Sequence, residues 1–255
     1  MQILRSPKWL AGHLLVLVVI VAFVNLGFWQ LRRLDERRAF NAQVTARLEA
    51  PPVALAQLLD EQGGDPERLA YRRVTVTGRY LTEEEIRLST RQHEGQPGHH
   101  LLTPLMYDEG RAVIVNRGWV PLALDDPPVA EALPGVDGAE ATVSGVLVPG
   151  QEPAGFGVDV PEGDTEYLGV IDLDRIQQQV DPTLAPVAIQ AADQTPPPPR
   201  ELPIPAALPP LTEANHLSYA GQWFLFATVV AVGYPILLRR TIRDHSRRPP
   251  VRATA

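Results

Sequence analysis

Hydrophobic positions along the chain form two continuous blocks with an alternating region between them. Leu10 to Leu31 runs 22 residues without an Asp, Glu, Lys or Arg, and Leu217 to Leu238 runs another 22. As helices rising about 1.5 Å per residue, each block would reach roughly 33 Å, which matches a hydrocarbon core of about 30 Å. Trp9 and Trp29 bracket the first block as interfacial aromatics do, and Pro7 suits the first turn of a helix. Pro235, late in the second block, either kinks the inner end of a spanning helix or is tolerated there. The first block exceeds the core of about 7 to 15 residues typical of a signal peptide, and no clean small-x-small site precedes Arg32. An uncleaved anchor is therefore expected.

Between the blocks the pattern changes. Arg32 to about Arg47 reads as a charged continuation of the first helix, Leu55 to Leu59 as a short helical turn, and Asp60 to Arg68, with Gly63 and Gly64, as a loop. From Tyr71 the period is two: Val74 and Val76 alternate with Thr75 and Thr77, and Gly78 predicts a bend or bulge before Tyr80. Further strands are expected at Ile86 to Arg91, Leu101 to Met106, Ala112 to Asn116, Ala141 to Val148, Tyr167 to Ile171 and Pro186 to Ala191. Asp108 to Gly110 reads as a hairpin turn, and Asp172 to Gln179 as a short helix with Asp172 or Asp174 near its start. Pro196 to Pro199, followed by Pro203, Pro205, Pro209 and Pro210, predicts an extended, stiff connector.

The expected fold class is a membrane protein with two transmembrane helices flanking a mostly β extracytoplasmic domain. Its parts would be a cytoplasmic N-terminus (1–9), the first span (10–31), a helical extension and linker (32–70), the β-rich domain (71–195), the proline-rich connector (196–214), the second span (215–238) and a basic cytoplasmic tail (239–255).

Charge gives the orientation. Residues before Leu10 and after Leu238 hold eight Lys or Arg against one acid, Asp244, for a net +7, while the interior holds 15 basic and 29 acidic residues, for a net −14. The positive-inside rule then puts both termini in the cytoplasm and the central domain outside, and the expected location is the plasma membrane. Arg32, Arg33, Arg37 and Arg38, counted alone against Arg5 and Lys8, argue the opposite way. The second span decides it, with six basic residues after it and only Arg200 shortly before it. With about nine residues before the first span and 17 after the second, no cytoplasmic signalling domain is expected.

The chain has no cysteine, which excludes disulfides, thiolate metal ligands, c-type haem attachment and thiol redox chemistry. It also lacks G-x-S-x-G, G-x-G-x-x-G, the P-loop and H-E-x-x-H. No enzyme is expected, and no nucleic-acid partner. Glu83, Glu84 and Glu85 read as a solvated turn.

Of six histidines, His93, His99 and His100 lie in the polar stretch Arg91 to His100 and are expected on a surface loop. His245 lies in the basic tail. His13, inside the first span, is expected to face a helix partner, with Gly12 allowing close approach. His216 opens the second span, with Tyr219 and Trp223 following at i+3 and i+7 on roughly one face. That arrangement suits either an interfacial belt or an imidazole ligand to haem iron beside two flat aromatics. In Asn116-Arg117-Gly118-Trp119-Val120-Pro121, an arginine and a tryptophan end a hydrophobic strand. Arg117 is expected to pair with a propionate or an acid, and Trp119 to form a surface platform or lie in the core.

Four segments carry a resemblance: Leu26-Gly27-Phe28-Trp29-Gln30-Leu31 with Arg33, Tyr71-Arg72-Arg73-Val74 through Gly78-x-Tyr80, Asn116 to Pro121, and Asn215-His216-Leu217-Ser218-Tyr219-Ala220-Gly221-Gln222-Trp223-Phe224. In this order around two apolar blocks, the chain resembles the Surf1 family of cytochrome c oxidase assembly proteins, in the form found in high-GC Gram-positive bacteria. The resemblance implies a non-enzymatic role in maturing an aa3-type haem-copper oxidase, with its catalytic subunit as partner, haem a as transient cofactor, and contact with the lipid bilayer and with haem a synthase. It makes His216 the candidate haem-iron ligand, with Tyr219, Trp223 and Trp29 lining the site. Arg33 or Arg117 would meet the propionates, and Arg117 and Trp119 would face haem or the oxidase from the outer domain. A cofactor-free scaffold that stabilises oxidase subunits is the alternative.

Overall fold

The structure, a computed structural model, describes residues 6–124, 140–152, 165–198 and 201–246, with the side chains of His245 and Ser246 left out. The expected cytoplasmic Arg5, Arg247, Arg248 and Arg252 lie outside the described residues, as do Pro199 and Arg200 of the connector. The chain forms two compact units, one from residues 1–43 with 211–255 and one from 44–210.

The first unit is a helix pair. α1 (Pro7–Glu49) is continuous through the apolar block and its charged continuation, and α5 (His216–Ser246) carries Pro235 inside it. α1 stops just before Pro51 and Pro52, where proline removes the next donors and pushes the preceding residue out of the helical region. Both helices are long and apolar enough to cross a membrane. Much of their apolar surface has no protein cover: Leu14, Leu17, Leu225 and Val229 are all more than half exposed.

The two helices run antiparallel, since near-N-terminal residues of one meet near-C-terminal residues of the other. His13 Nδ1 lies 2.6 Å from the Tyr234 hydroxyl, and the Phe23 and Trp223 rings are 5.5 Å apart. Helix pairing by His13 is thus as expected from a polar group in an apolar span. Gly27 sets the spacing, because a Cβ there would lie 2.6 Å from the Phe224 ring.

In the second unit α2 (Leu55–Gln62) ends at Gly63, whose φ of 65° supplies the left-handed turn and whose N–H donates to the Leu59 carbonyl. The stretch expected as a loop, Asp60 to Arg68, is instead the end of α2 and the start of α3 (Pro66–Leu69). Asp65 caps α3 through the Glu67 N–H, and Pro66 follows at the position that needs no donor.

The strands are β1 (Val53–Ala54), β2 (Arg73–Tyr80), β3 (Ile86–His93), β4 (Gln96–Asp108), β5 (Arg111–Pro121), β6 (Glu140–Pro149), β7 (Tyr167–Leu168) and β8 (Thr183–Thr195). Neighbours run β2-β6-β8-β5-β4, and pairing of Arg79 with Met106 and Tyr80 with Leu105 returns β4 to β2. The result is a closed five-stranded barrel of Greek-key connectivity, with β5 and β8 parallel and the other neighbours antiparallel. β3 pairs with β4 outside the ring, and the two-residue β1 and β7 flank β2 and β3.

Alternation along each strand sorts the core. Val74, Val76, Leu105, Val113, Val115, Val143, Leu147, Val187 and Ile189 fill the barrel, closed at one end by Leu55, Leu58 and Leu69. The opposite faces of β4, β5 and β8 hold Leu102, Ile114 and Ala188 against Ile171, Ile176 and Val180 of the segment carrying α4 (Leu173–Gln177). β5 is covered on both faces, which is why its run from Ala112 to Val115 is continuously apolar.

Three expectations change. Gly78 lies in regular register opposite Ala141 and makes no bulge; it is glycine because a Cβ would strike the Met106 carbonyl where the barrel closes. The Arg91 to His100 loop is a β3–β4 hairpin turning at Glu94 and Gly95, so His99 and His100 sit in a strand. Tyr167 to Ile171 forms a strand only at Tyr167–Leu168. The Asp108 to Gly110 hairpin and the Asp172 cap on α4 are as expected.

Candidate functional site

In the helix pair, His216 begins α5 and is half-buried. Its Nδ1 lies 2.8 Å from Oε1 of Gln30. His216 and Ala214 share a cleft of about 320 Å³ with Arg33, Glu36, Arg37 and Phe40 of α1, near the lower bound of roughly 300 Å³ for ligand pockets. Arg33 donates to Glu36 at 2.6 Å. Arg37 donates to the Thr212 carbonyl at 3.2 Å, with its guanidinium 5.5 Å from the Phe40 ring. Arg38 grips Glu213 through two bonds of 2.8 and 3.0 Å, and this exposed pair holds the Glu213 carboxyl below its usual range.

The expected aromatic lining does not gather at this cleft. His216, Ala220, Trp223, Phe224 and Ala227 form the seam of α5 toward α1, where Ala220 and Ala227 are buried. At about 100° per residue, Trp223 falls close to the azimuth of His216 but two turns away, and packs on Phe23 and Phe226. Tyr219 falls about 60° off that azimuth and is 48% exposed. Trp29 is also exposed, so of the residues expected at the ligand only His216 and Arg33 line the cleft.

In the barrel unit, Arg117 and Trp119 are buried, so of the two places expected for them the structure shows the strand end with Trp119 in the core and Arg117 beside an acid. The pairing of β5 is irregular at Arg117, which falls between Asn116 opposite Leu102 and Gly118 opposite Leu101, and Gly118 has a φ of 124°. Arg117 lies inside the barrel, its guanidinium 5.0 Å from the Tyr80 ring and 3.7 Å from Glu85, which also accepts from the Thr103 hydroxyl at 3.1 Å. Glu85 is thus not part of a solvated turn. Burial pushes the Tyr80 phenol up to about 12, a rise that Arg117 moderates. Tyr80 donates to Gln194 at 3.0 Å. Above this network, Arg117 forms the floor of a cavity of about 480 Å³ walled by Pro197, Pro198, Pro203 and Pro205.

Trp119 is a core residue at the strand end. Its backbone exchanges two hydrogen bonds, 2.7 and 2.9 Å, with Ile204, so the connector is pinned to β5 rather than only extended. Its indole stacks 5.3 Å from His93 and covers Gly98, where any side chain would collide with it. His99 is buried with its ring edge-on to Tyr167, and His100 lies 3.3 Å from the Asn116 amide. Desolvation, then the Arg91 charge, lowers His100 to about 4. Among the described residues, no three His, Asp or Glu are placed to hold a metal ion.

Sequence reasoning missed Gln30, Arg37 and Glu85. Gln30 had a signal, an amide inside an apolar block. Glu85 had none, because a run of three glutamates hides the one that turns inward.

The model of the SURF1 family matches residues 17–228. The chain belongs to the SURF1 family. It is 29% identical to a SURF1-like protein of Mycobacterium bovis over 252 residues, 96% of this chain and 88% of the relative. With the SURF1-like protein of Caenorhabditis elegans it shares 28% over 245 residues, 88% of this chain and 73% of the relative. A stretch of 109 residues is 36% identical to the SURF1-like protein of Rickettsia felis, 42% of this chain and 45% of the relative, so that match spans less than half of the Rickettsia protein. Both the His216 cleft and the Arg117 network lie within the part matched to the SURF1 family.

Proposed function

We propose that this SURF1-family chain is a membrane-tethered assembly factor for a haem-copper cytochrome c oxidase of the aa3 type, and that it helps haem a reach the catalytic subunit at the outer leaflet. Both helices would cross the plasma membrane, with both termini cytoplasmic. The observation that carries the reading is the His216 imidazole at one end of an apolar helix pair, beside a cleft holding two arginines.

The donor set suits such a ligand. Haem a supplies an iron that accepts imidazole nitrogen, and it carries propionates and an apolar tail. The His216 imidazole offers one nitrogen to iron. Arg33 and Arg37 offer guanidinium groups suited to carboxylates, and Phe40 gives the cleft an apolar wall. The uncovered apolar faces of α1 and α5 suit lipid and a lipid-soluble tail. One imidazole is a modest anchor, and modest binding favours transfer over storage.

His216→Ala in cells that depend on this chain tests the reading through the aa3 oxidase in their membranes. The expected result is oxidase deficient in haem a with the assembly factor itself present at its normal level. Normal oxidase would overturn the reading.

The alternative is a scaffold without a cofactor that holds oxidase subunits through the barrel unit. Under it, His216→Ala leaves oxidase intact. Substituting Arg117 or Trp119 does not separate the two readings, since loss of either disturbs the barrel itself.

A further inference from the structure

Gln30 is the amide that faces His216 across the helix pair, with Oε1 2.8 Å from Nδ1. An amide oxygen has lone pairs and no hydrogen, so the hydrogen in this bond belongs to Nδ1. Neutral imidazole with its hydrogen on Nδ1 has its lone pair on Nε2.

The approach of Gln30 is fixed by packing that does not involve the hydrogen bond. Gly27, three residues earlier on the same face of α1, lets the Phe224 ring come against the helix backbone. Phe28 meets the same ring edge-on at 5.4 Å. Ala220, one turn beyond His216, is 1% exposed. These contacts set the register between the helices and carry Gln30 to the level of His216. At the far end of the pair the partner of His13 Nδ1 is the Tyr234 hydroxyl, which donates or accepts equally well and selects no tautomer. At position 30 it is the amide oxygen, not the NH2 group, that meets the ring, and an acceptor there is matched by the Nδ1–H tautomer.

We infer that Gln30 is a positioning residue, which holds His216 as the Nδ1–H tautomer and thereby makes Nε2 the ligating nitrogen. This rests on the reading of His216 as an iron ligand. Ligating histidines commonly donate their other ring hydrogen to an oxygen, which orients the ring and raises its basicity. Gln30 supplies that oxygen from the opposite helix.

The test uses the full chain in lipid nanodiscs, labelled with 15N-histidine, with His216→Ala to assign the signal. Wild type is expected to show His216 protonated at Nδ1 and bare at Nε2. Gln30→Leu removes the acceptor and is expected to shift the signal toward the Nε2–H tautomer, whereas Gln30→Glu keeps an acceptor and is expected to keep the wild-type tautomer. Haemin titration follows on the same samples: Gln30→Leu is expected to weaken binding by about tenfold or more, and Gln30→Glu to restore it. A wild-type Nε2–H tautomer, or a Gln30→Leu signal identical to wild type, overturns the inference whatever haemin does. Wild type with the stated tautomer that binds no haemin supports the tautomer assignment and overturns the ligand reading.

Discussion

The Arg117 guanidinium and the Glu85 carboxylate lie 3.7 Å apart inside the barrel, their side chains 2% and 0% exposed. Both charges are almost wholly withdrawn from water, so each depends on the other and on the groups around them. Removing one partner from such a pair costs about 3–5 kcal/mol, because the remaining charge stays buried. Arg117→Met is therefore expected to lower stability by that amount, and pairing it with Glu85→Leu to recover most of the loss. Denaturant unfolding of the two variants checks this. Equal destabilisation by the single and the double variant would show that the charges are not coupled.

Gly118 admits the connector to β5. Its φ is 124°, and a Cβ there would collide with the Ile204 carbonyl. Gly118→Ala is expected to cost about 1–3 kcal/mol in backbone strain and to release the bridge between Trp119 and Ile204. Hydrogen exchange at the Ile204 N–H should accelerate while exchange within β6 stays slow.

Gly27 does the corresponding work in the helix pair. Gly27→Leu would drive a side chain into the Phe224 ring and separate the helices. Because the chain has no cysteine, the contact can be read with one engineered pair that leaves Phe224 in place, Phe23→Cys with Trp223→Cys, whose rings lie 5.5 Å apart in the native protein. Oxidative cross-linking is expected to be efficient with Gly27 and to fall sharply with Gly27→Leu.

His100 makes the barrel sensitive to acid. Burial lowers its pKa to about 4 from 6.5, so below 6.5 the unfolded chain binds the proton more readily than the folded one. Its contribution to stability is full above pH 6.5 and is lost as pH falls toward 4. Tm measured from pH 7 to 4 is expected to fall more steeply in wild type than in His100→Gln. Parallel curves would contradict the half-buried, neutral imidazole.

The helices were legible because 22-residue apolar blocks have few other uses, and β2 because Val74 and Val76 alternate cleanly with threonines. Closure of the barrel was not. It depends on Tyr80 reaching Leu105 across the ring, a pairing that no local pattern encodes. The Asn116 to Pro121 motif stood out as unusual, yet its residue types do not say which way they face. The β5 pairing skips Arg117 between Asn116 and Gly118, and both Arg117 and Trp119 end up buried. His216 was legible as a lone imidazole at the end of an apolar run. Its bond to Gln30 depends on helix register, which Gly27 sets by having no side chain.

The most direct test of the central claim is the optical and redox spectrum of the full-length protein purified from cells that make haem a, beside His216→Ala. The account predicts bound haem a in wild type and its loss in His216→Ala, with both proteins folded. A colourless wild type, folded and still able to pull down the oxidase, would contradict it and leave the scaffold.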